Sequence, residues 1–189
     1  MKLPRIHLFE FEDQPYFAGF RSLASNGIDK PVLNVFRMFA KMRGQRLAAE
    51  SSGALPLDEI VRRGVRGQPD VGAVASVDGK RVWVMTWHYH DDDVPGPEAS
   101  IEMQFTGLGL GNADSMVRHY RIDQDHSNAF TAWKKMGSPQ QPTREQYAEL
   151  EKAGQLALLN ESATRVEQSQ TIIRFMLPRQ AVSLIELSF

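Results

Sequence analysis

The chain of 189 residues contains no cysteine. This absence excludes a disulfide framework, thiolate zinc ligands, iron–sulfur clusters and a cysteine nucleophile, so any chemistry must come from oxygen and imidazole groups. An excess of one charge is missing too, since 22 Lys and Arg residues face 23 Asp and Glu residues, for a formal net charge of −1. A balance this close to neutral makes nucleic acid and an anionic membrane poor candidates as partners.

Long apolar runs are also missing. No stretch approaches the roughly 18 consecutive apolar residues of a membrane span, and the first seven residues lack the apolar centre of a signal peptide. We therefore expect a cytoplasmic protein. Ten prolines and fourteen glycines are spread along the sequence, which predicts many short elements, mostly strands.

The first 43 residues carry the pattern of a single β/α unit. Residues 7–11 alternate as a short strand does, and residues 31–42 place apolar side chains at helical spacing, with Pro31 in the first turn and Gly44 as the stop. One such unit cannot bury both its faces alone, because a parallel strand needs neighbours on each side and helices above and below. We expect an exposed apolar helix face, unpaired strand edges and self-association through them.

From residue 44 onward, short β-like runs separated by turns predict a β-sandwich. Asp78 and Gly79 form a two-residue hairpin signal, and the glycine-rich residues 107–111 are interpreted as another hairpin connection. The predicted strands span residues 45–50, 70–77, 81–90, 100–105, 115–122, 170–177 and 181–187.

Two short helices interrupt these strands. They are predicted over residues 127–136 and 144–153, and Thr143 with Gln146 forms a capping-box pattern for the second. The predicted fold class is therefore mainly β. It consists of a β-sandwich over residues 44–189 with two short inserted helices, preceded by one β/α unit.

A paired-histidine motif is the first candidate site. His88 and His90 are two residues apart on a predicted strand and share a face, as metal ligands in β-folds often do. Asp91, Asp92 and Asp93 follow at the end of the strand, but no other histidine is placed to complete a ligand set. We interpret the segment as a strand whose polar end enters an acidic turn, and we expect no metal and no cofactor.

A second candidate lies further along the chain, where Asp123, Asp125, His126 and Ser127 supply the residue types of a hydrolytic triad within five positions. Real triads gather from distant segments and need a strained nucleophile turn. A helix cap at Asp125 or Ser127 is the better interpretation.

Two tryptophans form a third candidate. Trp83 and Trp87 are four residues apart on one predicted strand and therefore share a face. They either belong to the core or form a platform on which sugar rings stack, and the sequence leaves both open.

The acidic and aromatic loop at residues 11–17 is the segment that most suggests a ligand. Glu12 and Asp13 stand beside Tyr16 and Phe17, after a predicted strand and before a predicted helix. In a (β/α) barrel this is where ligand-contacting groups lie. Carboxylates beside aromatic rings are a way to hold sugar hydroxyls, and an ordinary solvated loop is the alternative.

Six blocks of sequence, in order along the chain, follow the pattern of one known family. They are residues 9–17, 30–39, 89–95, 119–123 with 126–129, 133–140 and 177–184. Together they resemble the C-terminal part of the glycoside hydrolase family 39 β-xylosidases. The resemblance implies a retaining exo-glycosidase that removes xylose from xylo-oligosaccharides, built as a (β/α)8 barrel followed by a β-sandwich. Residues 1–43 would then contain the last strand, loop and helix of the barrel.

The resemblance also bears on the catalytic residues. Retaining hydrolysis needs two carboxyl groups about 5–5.5 Å apart, and in the family both come from earlier barrel strands, the acid/base from an Asn-Glu-Pro motif. This sequence has no Asn-Glu-Pro, and its one Asn-Glu, at Asn160 and Glu161, is followed by serine. What the resemblance carries over is Glu12 and Asp13, which would hold the hydroxyls of the bound sugar; Asp13 stands where glutamate is often found.

We therefore expect a fragment of a β-xylosidase that has no catalytic residue of its own and is inactive alone, while its full-length form acts on xylo-oligosaccharides. The alternative is a non-catalytic β-sandwich module that binds carbohydrate or a partner barrel chain. A two-histidine metalloprotein is the third possibility.

Overall fold

A computed structural model of the chain describes residues 15–17, 22–92, 94–109 and 111–189. Within them a six-stranded sheet, a two-stranded sheet and four α-helices form the main body, and no helix among them is long and apolar enough to cross a membrane. A 3-10 turn spans Pro15–Phe17, and the helices are α1 (Pro31–Lys41), α2 (Leu57–Arg63), α3 (Ala129–Lys135) and α4 (Arg144–Gly154). The strands are β1 (Ala24–Ser25), β2 (Ile28–Asp29), β3 (Gln45–Leu47), β4 (Asp70–Asp78), β5 (Arg81–Tyr89), β6 (Ala99–Phe105), β7 (Ala113–Ile122), β8 (Ala157–Val166), β9 (Thr171–Leu177) and β10 (Ala181–Ser188).

The large sheet has the strand order β3-β4-β5-β10-β7-β8, and every neighbouring pair in it is antiparallel. Strands β6 and β9 pair with each other and cover one face of this sheet. The predicted mainly-β class is confirmed. Strand β10 lies at the centre, and most of its residues are buried because the sheet is covered on both sides.

The two faces of the large sheet bury different sets of side chains. Between the sheets, Val84, Val117, Ile185 and Leu187 pack against Phe105. On the opposite face, the side chains that meet helix α1 form a second cluster made of Met38, Trp83, Met85, Ile122 and Leu184. Helix α1 thus shares a core with the sandwich, while the proposed domain boundary after residue 43 stays a prediction.

Helix α1 begins and ends close to the predicted positions. Pro31 occupies the first turn, where its missing N–H needs no partner. Gly44 has a φ of +77°, and a side chain at this position would collide with the carbonyl oxygen of Val77. Glycine is therefore required where the chain turns from α1 into β3.

The helix is joined to the inserted helices through one buried amide. The Asn34 Nδ2 donates to the carbonyl oxygens of Ser127, at 3.2 Å, and of Gly154, at 2.7 Å, while its Oδ1 accepts from Arg37. A buried amide with these partners is fully engaged, which fixes α1 relative to the start of α3 and the end of α4.

The outer face of α1 is apolar and exposed. The exposed fractions of Val32, Phe36 and Phe39 are 40%, 58% and 51%. We call these three residues the α1 stripe. The predicted exposure of an apolar helix face is confirmed for the helix, whereas the predicted strand at residues 7–11 lies outside the described residues.

Two local predictions are wrong. The glycine-rich segment at 107–111 does not close a hairpin, because β6 pairs with β9 while β7 pairs with β10 and β8, so the segment crosses from one sheet to the other. Helix α3 is capped by Asn128, whose side chain accepts from the backbone N–H of Thr131. Neither Asp125 nor Ser127 caps it.

Candidate functional site

Glu12 and Asp13 lie outside the described residues, so their role stays a prediction. The end of their loop, the turn at Pro15–Phe17, is described and is anchored on helix α3. The Tyr16 ring is stacked on Trp133 with 6.2 Å between centroids, and the Phe17 ring meets the same indole edge-on at 5.3 Å. Asn26 adds a hydrogen bond of 2.8 Å to the Tyr16 carbonyl oxygen. Helix α3 therefore supports the end of the predicted sugar-binding loop.

The two histidines of the paired motif contact different parts of the chain. The His88 Nδ1 lies 3.0 Å from the carbonyl oxygen of Leu177, between the sheets. His90 follows the end of β5, and its Nε2 lies 3.1 Å from the carbonyl oxygen of Arg66 while its Nδ1 lies 3.1 Å from that of Asp92. Among the described residues, no three His, Asp or Glu side chains are grouped in a way that could hold a metal ion.

The acidic turn after β5 also has a structural task. The Asp91 carboxylate accepts from the backbone N–H of Val65 at 2.8 Å and lies 3.6 Å from Arg66. The backbone hydrogen bond from Val65, followed by the side chains of Tyr89 and Arg66, lowers the pKa of Asp91. These contacts join the segment after α2 to the end of β5.

The triad-like residues do not form a catalytic arrangement. The Asp123 Oδ1 accepts from the backbone N–H groups of Asp125 and His126 and lies 2.8 Å from the His126 Nδ1. The Ser127 hydroxyl is buried, donates to the Arg121 carbonyl oxygen at 2.6 Å and accepts from the backbone N–H of Ala157 at 2.8 Å. A hydroxyl held in this way organises a turn and cannot reach a substrate.

The tryptophan pair does not form a stacking platform. The exposed fraction of Trp83 is only 4%, and its ring belongs to the cluster under α1. Trp87 lies against the backbone of Gly72, and its Nε1 donates to Asp70 at 2.6 Å. The core interpretation is therefore right for Trp83.

A polar cluster that sequence reasoning missed lies between the sheets. The Arg121 Nε donates to the Ser183 Oγ at 2.8 Å, and the same oxygen lies 2.8 Å from the His119 Nε2. All three side chains are buried, and Ser183 is completely so. No signal in the sequence finds this cluster, because an alternating strand does not reveal which of its faces is covered.

The protonation state of His119 follows from the donors around it. A guanidinium can only donate, so the Ser183 oxygen accepts from Arg121. Among the described residues the completely buried Ser183 hydroxyl has no other acceptor within hydrogen-bond distance, which assigns its O–H to the His119 Nε2. Burial, with smaller contributions from the charges of Arg121 and His126, lowers the pKa of His119 to about 4. The Ser183–His119 distance suits a nucleophile and base, but a fully buried hydroxyl cannot meet a substrate.

A cleft of about 1010 Å³ opens beside the C-terminal end of α1. Its walls come from that end of the helix and from β5, β7 and β10, and they carry charges of both signs. They include Ala40, Lys41, Arg43, Arg81, Trp83 and Glu186. Ala40 is exposed and follows Phe39 in the chain, so the cleft begins at the end of α1 that carries the last residue of the α1 stripe.

Comparison with known proteins gives a consistent family. The family described as glycosyl hydrolases family 39 matches residues 7–167. A β-xylosidase from Caldicellulosiruptor saccharolyticus is 27% identical over 143 residues, which are 75% of this chain and 26% of that protein.

Solved structures share the fold. The GH39 enzyme from Xanthomonas axonopodis pv. citri has a TM-score of 0.68 and 18% sequence identity, and the match covers 86% of this chain. A monomeric β-xylosidase from Caulobacter crescentus CB15 has a TM-score of 0.63 and 21% identity, also over 86% of this chain. A bacterial orthologue of human α-L-iduronidase has a TM-score of 0.69 and 19% identity over 85% of this chain. The match covers 31%, 31% and 27% of those three chains, so this chain spans about a quarter to a third of the length of its relatives.

Proposed function

The chain belongs to glycosyl hydrolases family 39, and we propose that it forms the β-sandwich and the closing barrel helix of a β-xylosidase whose catalytic carboxylates lie on other residues. The observation that carries this proposal is the α1 stripe. A helix with apolar residues on both its inner and outer faces is typical of one covered on both sides. Here the sandwich covers the inner face alone.

The proposal assigns no hydrolysis to the 189 residues by themselves. Retaining hydrolysis uses one carboxyl group as acid/base and a second as nucleophile, and each contributes orders of magnitude to the rate. Glu161, the glutamate of the one Asn-Glu pair, is 3.0 Å from Arg118 on the neighbouring strand. Its ion pair supports a structural task on the surface of the sheet.

The substrate of the full-length enzyme is proposed from its relatives. β-Xylosidase is the activity in the names of the proteins from Caldicellulosiruptor saccharolyticus and Caulobacter crescentus. We extend it to a xylo-oligosaccharide substrate here, with Glu12 and Asp13 holding sugar hydroxyls. The described turn at Pro15–Phe17, anchored on α3, gives that loop a fixed attachment.

An assay with an aryl β-xyloside tests the proposal. The purified 189-residue chain is expected to release no aryl alcohol above the background of buffer, and a Glu161→Gln variant is expected to match it. Robust turnover by the chain would contradict the proposal. Turnover lost in Glu161→Gln would additionally assign the chemistry to this glutamate.

A second candidate function, favoured by the same stripe and its neighbouring cleft, is a module that docks on a separate polypeptide carrying the barrel. Carbohydrate binding by the sandwich itself has less support, since Trp83 is buried and Trp87 is hydrogen-bonded to Asp70. Titration of the chain with xylo-oligosaccharides is expected to give no saturable change in tryptophan fluorescence up to millimolar sugar. A saturable change would favour the carbohydrate-binding module instead.

A further inference from the structure

The interface between the two sheets is apolar over most of its area but polar at one end. Val84, Ile185 and Leu187 of the large sheet fill the apolar part. At the polar end, Arg121 on β7 reaches across the gap, and its Nη2 donates to the carbonyl oxygen of Met176 on β9 at 2.9 Å. This hydrogen bond ties the small sheet to the large one directly.

The hydrogen bonds of Arg121 depend on the neutral form of His119. The Ser183 oxygen can orient its lone pairs toward the guanidinium because its O–H has an acceptor in the His119 Nε2. A proton on that nitrogen would leave the Ser183 O–H without an acceptor in a completely buried place. An unpaired buried polar group of this kind is costly.

The charges around His119 also disfavour its protonation. The charged groups that act on the His119 ring are cationic: Arg121 on its own strand, and His126 after β7 when protonated. Asp123 and Glu98 face Arg121 and offset its charge. Arg174 and Glu102 pair with each other on the exposed outer face of β9 and β6, away from His119. No carboxylate of the described residues contacts the imidazole itself, so a second cation there is not neutralised.

The cluster is also within reach of solvent. His119, Arg121 and Phe175 line a cleft of about 520 Å³ between β7, β8 and β9. The His119 ring lies over Phe175 with 4.7 Å between centroids, and the Arg121 guanidinium lies 5.8 Å from the same ring. A change at His119 is therefore transmitted directly to β9.

We propose that His119, Ser183 and Arg121 form an acid-sensitive clamp between the sheets. Protonation of the His119 Nε2 withdraws the acceptor of the Ser183 hydroxyl and sets a second cation beside Arg121. The guanidinium then loses its fixed position, its hydrogen bond to Met176 breaks, and the sheet of β6 and β9 separates before the large sheet unfolds. The low pKa of His119, about 4, agrees with release in acid and not at neutral pH.

Hydrogen exchange of the 189-residue chain at pH 7 and near pH 4, expressed as protection relative to the unstructured rate at each pH, tests the clamp. We expect β6 and β9 to lose about tenfold or more in protection at the lower pH, the equivalent of one pKa unit, while β5 and β10 keep theirs. Equal loss in both sheets would overturn the proposal.

Two variants separate the clamp from general acid sensitivity. His119→Phe keeps a ring on Phe175 but cannot be protonated, so the protection of β9 is expected to become independent of pH over this range. His126→Gln, a change at a partly exposed ring nearby, is the matched control and is expected to retain the dependence. An unchanged pH dependence in His119→Phe would contradict the clamp.

NMR of the unmodified chain provides a test that needs no variant. The nitrogen resonances of His119 are expected to show the proton on Nδ1 at pH 7 and an unprotonated Nε2 until β9 is released. A protonated Nε2 at pH 7, or protonation that leaves the protection of β9 unchanged, would refute the proposal.

Discussion

The two faces of helix α1 have similar composition but very different surroundings. On the inner face, Met38 is completely buried among Trp83, Met85 and Leu184. On the outer face, Phe36 and Phe39 are more than half exposed. The sequence pattern is apolar on both sides, so the difference lies in what covers each face and not in the helix. The sandwich therefore covers one face of α1 and leaves the other exposed.

The largest expected effect separates the two faces by stability. Met38→Ala removes a buried side chain and leaves a cavity, so we expect the free energy of unfolding to fall by about 2–5 kcal/mol. Phe36→Ala, the matched change on the outer face, is expected to alter it by about 0.5 kcal/mol or less. Urea unfolding measures both. Equal losses would mean that the outer face is already buried in solution.

The second effect is the pH dependence of the free energy of unfolding, which we expect to come from His119 and not from the apolar faces of α1. The pKa of His119 is about 4 in the folded chain and about 6.5 when unfolded. Below pH 6.5 the unfolded chain therefore binds more protons, so stability is complete above this pH and declines as the pH falls toward 4. The loss from this group reaches at most about 3 kcal/mol.

Urea unfolding at a series of pH values measures this dependence. The His119→Phe variant is expected to remove most of the decline between pH 6.5 and 4, and His126→Gln is expected to keep it. A decline that is the same in both variants would show that other groups dominate the acid sensitivity.

The third effect tests self-association through the α1 stripe. Phe36→Ser with Phe39→Ser is expected to weaken concentration-dependent association about tenfold or more, since each removes apolar area from a contact. Sedimentation velocity provides the measurement. Leu57→Ser with Val61→Ser is the control, because α2 also exposes two large apolar side chains. Association that responds to the α2 variant instead would place the contact on that helix.

The smallest effect concerns the N-terminal cap of helix α4, the helix whose Gly154 accepts a hydrogen bond from Asn34 of α1. The Thr143 hydroxyl oxygen accepts from the Gln146 backbone N–H, and the Gln146 side-chain oxygen accepts from the Thr143 backbone N–H, as the capping-box pattern predicts. Thr143→Ala is expected to cost about 1 kcal/mol. Thr143→Ser should recover most of it in the same urea experiment, and no recovery would assign the loss to the methyl group.

Elements with local signals were predictable from the sequence. Helices α1 and α4 have their start and stop residues next to them in the chain, and the hairpin of β4 and β5 has a glycine with positive φ at its turn. Strand β8 was not predicted, because it lies at the edge of the sheet with most residues exposed and shows no alternation. The hairpin of β1 and β2 and the short helix α2 were missed because they span few residues.

The candidate site was less predictable than the fold. Which strands become neighbours decides that the segment at 107–111 crosses between sheets and that His119 meets Ser183, 64 positions along the chain. Such pairings are set by the whole sandwich and leave no local pattern. The family could be inferred because six blocks along the chain carry it together.

Because the chain has no cysteine, single introduced thiols report directly on the two faces of α1. We expect Phe36→Cys to react with a thiol reagent nearly as fast in the folded chain as in denaturant when the protein is dilute, and to become protected when it is concentrated. Met38→Cys is expected to stay protected about a hundredfold or more at both concentrations, as burial with about 3 kcal/mol of opening free energy requires. Equal reactivity at the two positions, in dilute solution, would contradict the claim that α1 is covered on one side and open to a partner on the other.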